Sequence, residues 1–224
     1  MRPHRCLSSA TGFALLATVS LLLTLPAAQA NNVPIAVAPV VVKLETATDI
    51  AGVDVSNRGE TNSGVEVEMM RVNWVNGVEQ YEQTQDFVVS PPSFRLLAGK
   101  SRLVRFKYNG VRSEVEGFYR LFIRQLPPEP SASQINMVFN IGVPVFVAPL
   151  VVSPALKMSA SSAELRNTGN VTLTILRLEG KDCAGPLPIL ARIAPGQKIG
   201  LSAIQAQCAS AAQTDKGSIN LTAP

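Results

Sequence analysis

In the stretch INMVFNIGVPVFVAP, Ile135 to Pro149, the residues Ile135, Met137, Phe139, Ile141, Val143 and Val145 recur at every second position, all of them large and apolar. An extended chain puts that whole row on one face. The opposite face carries Asn136, Val138, Asn140, Gly142 and Pro144. Proline has no amide to give to a ladder, so the pattern predicts a half-buried strand at a sheet edge and not at a sheet centre. A long apolar row on such an edge invites other chains to pair with it, which soluble proteins ordinarily prevent.

Short alternating or β-rich runs recur along the rest of the chain: IAVAPVVVKL, GVDVSN, VEVEMMRVNWV, FVVSP, SRLVRFKY, GFYRLFIRQL, AELRNTG, VTLTILRL and GSINL. Between them lie NRGETNSG, SPPSFRLLAG, LPPEPSAS and APGQK, segments of turn chemistry built on Gly, Pro, Asn and Ser. No segment shows a sustained helical period with caps. The expectation is an all-β protein, and a strand spacing of about ten residues favours sandwiches over a barrel or propeller. Pro149 and Pro154 bracket a short extended link. It divides a first domain, residues 31–150, from a smaller one at 151–224.

Residues 1–30 stand apart. Arg2 and Arg5 are followed by the apolar run FALLATVSLLLTL and by Ala28-Gln29-Ala30, a small-x-small site. Together they read as a cleaved signal peptide, which implies export and no membrane insertion afterwards. Arg2 and Arg5 are two of the 20 basic residues, so 18 remain against 16 acidic ones. That excess is too small and too evenly spread to indicate nucleic acid as a partner. The single histidine, His4, leaves with the leader, and Cys6 with it. Without histidine, Ser-His-Asp and Cys-His nucleophile activation are excluded and an imidazole-ligated metal site is not expected. No Gly-rich phosphate loop is present, and no cofactor is expected. Cys183 and Cys208 form an even pair in an exported chain and read as a disulfide, with two free buried thiols as the alternative.

Several of these stretches together resemble the periplasmic PapD-like pilus chaperones of the chaperone-usher pathway. SPPSFRLLAGKSRLVRF resembles that family's Pro-rich turn and Val-Arg strand, EGFYRLFIRQLP its Glu-x-x-Tyr-Arg strand, and VPVFVAP the Phe-x-x-Pro that leaves its first domain. The later segments LRNTGNVTLTILRL and IAPGQKIGL match more weakly. VNWVNG and TQDFVVSPP resemble the divergent, archaic branch. The resemblance implies two immunoglobulin-like β-sandwich domains at an angle. It also implies that the apolar row is lent to an incomplete pilus or fimbrial subunit by strand addition. The subunit-facing residues would be Ile135, Met137, Phe139, Ile141 and Val143.

Two departures follow from the same alignment. Well-studied members hold the subunit's terminal carboxylate with an Arg in the first strand and a Lys in the donor strand, and those positions are Val41 and Pro144 here. Lys43, on the same strand face as Val41, is the candidate substitute. Arg105 and Glu116 match a charged pair that lies between the domains in the family.

The resulting expectation is a non-enzymatic chaperone of the periplasm that completes the fold of pilus subunits and passes them to an outer-membrane usher. A free dimer that caps its own edge is compatible with the pattern. The competing reading is a pilin-like or adhesin β-sandwich. An exported enzyme using two carboxylates, with Asp54, Glu66, Glu68 and Asp86 as candidates, is the weakest reading, because no spacing singles out a pair.

Overall fold

Alternation of apolar and polar residues, interrupted by Gly, Pro and Asn at the turns, produces strands wherever the chain can bury one face. The computed structural model describes residues 35–46, 48–75, 78–127, 138–159 and 161–221. The predicted signal peptide, Ile135 and Met137 lie outside the described residues. The first ten strands are β1 (Ile35–Ala38), β2 (Val42–Leu44), β3 (Ile50–Asn57), β4 (Ser63–Val75), β5 (Val78–Gln83), β6 (Phe87–Ser90), β7 (Ser93–Leu96), β8 (Ser101–Tyr108), β9 (Gly117–Gln125) and β10 (Asn140–Val147). They form a four-stranded sheet, β1-β3-β8-β6, and a larger one, β2-β10-β9-β4-β5, in which β7 also pairs with β4. The inward rows of the two sheets, among them Val53, Val104, Phe106, Leu121, Ile123 and Val145, make one core.

The run IAVAPVVVKL is not one strand. It breaks at Pro39, so that β1 pairs with β3 in one sheet while β2 runs parallel to β10 in the other. A parallel neighbour at this position lets the chain's beginning cover part of the edge of its own β10.

A second sandwich follows from β11 (Leu156–Ser159), β12 (Glu164–Asn167), β13 (Leu173–Glu179), β14 (Leu187–Ile193), β15 (Lys198–Gly200), α1 (Ala203–Cys208), β16 (Ala211–Thr214) and β17 (Gly217–Asn220). Its sheets are β11-β12-β15 and β14-β13-β16-β17, packed over Leu165, Leu173, Ile175, Leu178 and Ile193. The one short helix was not legible as a period because it is a single capped turn and a half. Ser202 and Gln205 form a capping box at its start. Strand β14 carries a register shift against β13, and Leu190 sits there with φ 53 and its side chain exposed.

Both sandwiches use one turn device. Asn57 is buried, its Nδ2 donating to the carbonyls of Thr61 and Leu96 while its Oδ1 accepts from Gly59 N. Asn167 repeats this with Val171, Ile193 and Gly169. A buried amide side chain with its groups satisfied fixes each turn against the opposite sheet.

Cys183 and Cys208 are joined, 25 residues apart in sequence, tying the loop after β13 to the end of α1. Gly180 belongs to the same corner, where a Cβ would fall 1.8 Å from Cys208 O. A Cys183→Ser/Cys208→Ser double variant is expected to lose about 3 kcal/mol of stability through the freed loop. Urea unfolding of oxidised and variant protein measures this, and an unchanged midpoint would show that packing alone holds the corner.

Candidate functional site

Strand β10 has β9 along its full length on one side, from Asn140 opposite Arg124 to Val147 opposite Gly117. On the other side β2 covers only Val145–Val147. Gln125 N donates to Phe139 O at 2.8 Å, and Ala148 N donates to Leu44 O at 2.8 Å. Successive residues of a strand turn their backbone groups to opposite sides, so Asn140 and Gly142 direct amide and carbonyl toward the side where β2 does not reach. Pro144 closes this open stretch with no amide of its own. Among the described residues, no strand pairs with Asn140–Pro144 on that side.

The side chains of the row divide into two groups. Val143 is 1% exposed and lies in the core of the first sandwich. Its expected place as a subunit-facing residue is therefore corrected: it packs inward on its own domain. Ile141 is half-buried and packs against the same core, and Phe139 is half-buried just before the strand. Val138, on the opposite face, is 50% exposed. Gly142 lets two neighbours cross the strand on the outer face, since a Cβ there would meet Arg120 Cδ at 2.9 Å and Phe122 Cε1 at 3.3 Å.

Lys43, expected as a carboxylate anchor, already has an acid. Its Nζ donates to Asp215 Oδ2 at 3.0 Å, across from the first sandwich to the second. Burial works against the charge of Asp215, but the Thr174 amide, Lys43 and Lys216 outweigh it and hold the carboxyl below its usual range. Glu116 also reaches the second sandwich, its Oε2 accepting from Thr172 N at 2.8 Å. Burial pushes its carboxyl up despite that bond and the nearby Lys43 and Lys216.

Arg105 and Glu116 do not pair. Arg105 is exposed on β8, in the four-stranded sheet, opposite Gly52 and Ser90. Glu116 precedes β9 in the other sheet and turns toward the loop before β13. Its expected charged partner is thus replaced by a backbone amide. Asn170 completes this joint, its Nδ2 donating to Glu114 O at 2.8 Å and Val151 O at 2.7 Å.

Arg112 organises the site and carried no signal in the sequence pattern, being a lone arginine in a turn. Its side chain is 8% exposed. Nη1 donates to Ala148 O at 2.7 Å, and Nη2 donates to Glu45 O and Thr48 O at 2.9 Å and to Asp49 Oδ1 at 3.0 Å. These are the carbonyls just beyond the ends of β2 and β10, so one guanidinium clamps the parallel pair where the chain leaves the first sandwich.

Of the carboxylates considered for an enzyme, Asp86 accepts from Tyr119 Oη at 2.7 Å and pairs with Arg71, while Glu68 pairs with Arg124 at 3.0 Å. Among the described residues, no group of three or more His, Cys, Asp or Glu could hold a metal ion.

Beside Pro144, between the two sandwiches, lies a cavity of about 200 Å³. Trp74, Phe118, Pro144 and Phe146 line it from the first, with Arg120 and Glu79, and Thr172 and Arg192 line it from the second. Arg120 Nη2 donates to both oxygens of Glu79, at 2.6 and 2.5 Å.

A family model described as pili and flagellar-assembly chaperone, PapD N-terminal domain, matches residues 32–153. Among curated proteins none matches. Among solved structures the chain is similar to the class 5 fimbriae chaperone CfaA, with a TM-score of 0.65 at 13% identity over 83% of this chain and 96% of that one. A structure of Salmonella enterica SafA pilin in complex with the SafB chaperone matches with a TM-score of 0.54 at 16% identity, over 84% and 95% of the two chains. The CsuC–CsuE chaperone and tip subunit complex from archaic Csu pili of Acinetobacter baumannii gives 0.52 at 16% identity, over 75% and 89%. These likenesses establish the fold.

Removing the Arg112 clamp takes a donor from the carbonyl of buried Ala148 and from the exposed acceptors of Glu45, Thr48 and Asp49. Arg112→Met is expected to cost about 1 to 2 kcal/mol, and Arg112→Lys to recover only part, because an ammonium cannot span the same acceptors. Urea unfolding of the three proteins measures this, and equal midpoints would show the clamp to be incidental.

Proposed function

Because the chain belongs to the PapD-type family of pili and flagellar-assembly chaperones, we propose that it binds pilus subunits by lending them the open edge of β10. It then hands them to an outer-membrane usher. The observation that carries this reading is the stretch Asn140–Pro144, which among the described residues pairs with β9 on one side and with no strand on the other, preceded in sequence by the apolar alternation of Ile135, Met137 and Phe139. A subunit lacking a strand would gain main-chain hydrogen bonds from Asn140 and Gly142 and apolar side chains at every second position. Each large side chain fully buried in this way contributes about 1.5 to 3 kcal/mol before ordering costs.

The work is performed without catalysis, and the location that fits is the periplasm, reached through the predicted leader at residues 1–30. Placement in the archaic branch is part of the same proposal and is supported by VNWVNG and TQDFVVSPP. A pilin-like role finds no comparable support: a building block of that kind would lack a strand of its own, whereas β1–β10 enclose one core.

Phe139→Arg and Val138→Arg put the same charge on neighbouring residues of opposite faces. With exported proteins of the native host, the parent chain and Val138→Arg are expected to co-purify a small β-protein from the periplasm, and Phe139→Arg to lose it at unchanged stability. If both variants keep the partner, or the parent chain never captures one, the row is not lent.

A further inference from the structure

Two turns close the end of the first sandwich opposite the Arg112 clamp. Asn57 N donates to Lys100 O at 2.8 Å, and Ala98 N donates to Asn62 Oδ1 at 3.0 Å, so the loop after β3 and the turn between β7 and β8 form one apex. Lys100 N donates back to Leu97 O at 3.1 Å with Gly99 at φ 67, the left-handed third position of a tight turn. This turn leaves Leu97 50% exposed. Leu126, 38% exposed, joins the apex from the end of β9, its amide donating to Gly64 O at 2.9 Å.

Four exposed cations share this apex: Arg58 after β3, Arg95 opposite Gly64 on β7, Lys100 in the turn, and Arg102 opposite Val55 at the start of β8. Glu60 is the one acid in the two turns, and Asp54 and Glu66 lie further in along their strands. Among the described residues none of the four cations forms an ion pair, so four charges less Glu60 leave three uncompensated. Basic and acidic residues are nearly balanced over the mature chain, which makes this excess local. Gathered like charges repel one another, and an anionic surface relieves that repulsion. All four side chains are exposed and come from separate segments, with no buried anchor among them. That arrangement suits a fluid array of anionic headgroups, which adjusts to the cations, better than a protein partner, whose energy comes from a few anchors in shaped, desolvated pockets.

We propose that this apex rests on an anionic phospholipid surface, with Arg58, Arg95, Lys100 and Arg102 among the headgroups and Leu97 and Leu126 in the interface. The contact is peripheral: three net charges and two leucines give weak, reversible binding that salt screens. It is separate from strand lending but adjoins it. Asn140, where the open edge begins, stands opposite Arg124, and the next residue, Gln125, stands opposite Val65, close to the apex. A chain resting this way presents the beginning of its open edge beside the membrane.

Co-sedimentation of the purified mature protein with two kinds of vesicle tests this, one of phosphatidylcholine alone and one of equal parts phosphatidylcholine and phosphatidylglycerol. Binding to the anionic vesicles is expected to be about tenfold stronger and to be lost at about 0.5 M salt. Arg58→Glu/Lys100→Glu should lower it about tenfold and Leu97→Ser severalfold, at the parent's urea midpoint. Lys107→Glu/Lys157→Glu makes the same change in net charge on exposed lysines away from the apex and should keep most of the binding. Trp74, the sole tryptophan, stands near the other end of β4 beside exposed Val75 and Val78, so its emission should not move. Equal binding to both vesicles, none to either, equal loss in the two reversed pairs, or a blue shift of Trp74 on binding would overturn the proposal; with no binding to either, an acidic protein surface becomes the occupant that fits the cluster. No subunit enters this assay, so its failure leaves strand lending intact, and failure of the Phe139→Arg capture leaves the sedimentation result unaffected.

Discussion

Asn140 and Gly142 turn backbone donors and acceptors to a side of β10 that, among the described residues, is covered only further along, at Val145–Val147. Unpaired ladder groups beside an apolar face attract any available strand. Everything around this stretch limits how far that exposure extends. Strand β2 closes the far end, Pro144 withholds an amide at the boundary, and Arg112 fixes the ends of β2 and β10 together. Val143 and Val145 bind the strand into its own core, so the edge is presented by a rigid support and not by a loose tail. A one-residue slip would exchange the faces of a lent strand, and a short open stretch with a fixed end restricts such slips.

The joint between the sandwiches depends on charges that find partners other than the obvious ones. Lys43 meets Asp215, Glu116 meets the Thr172 amide, and Asn170 ties Glu114 to Val151. Arg120 and Glu79 are paired within the first sandwich.

Strands with strict alternation were legible from the sequence because a period of two needs only one buried face: β3, β8, β9 and β13 follow their runs closely. Strand β5 is polar on nearly every residue and is held by its hairpin with β4, while β7 lies inside a proline-rich segment that reads as a turn. Strand β14 contains Pro188 and a left-handed Leu190. The edge strand itself was legible through Pro144, but the division of its row was not, since burial of Val143 is set by the opposite sheet. Arg112, and the parting of Arg105 from Glu116, depend on which sheet each strand joins, and no local pattern contains that.

Amide hydrogen exchange at Asn140 and Gly142 tests the central claim most directly, in the free chain and in complex with a captured pilus subunit. The expected result is rapid exchange at both amides in the free monomer, slow exchange at Val147 and Ala148, and strong protection of Asn140 and Gly142 on subunit binding. Protection of both amides in the free monomer, or a stable subunit complex that leaves them exchanging freely, would contradict strand lending at this edge.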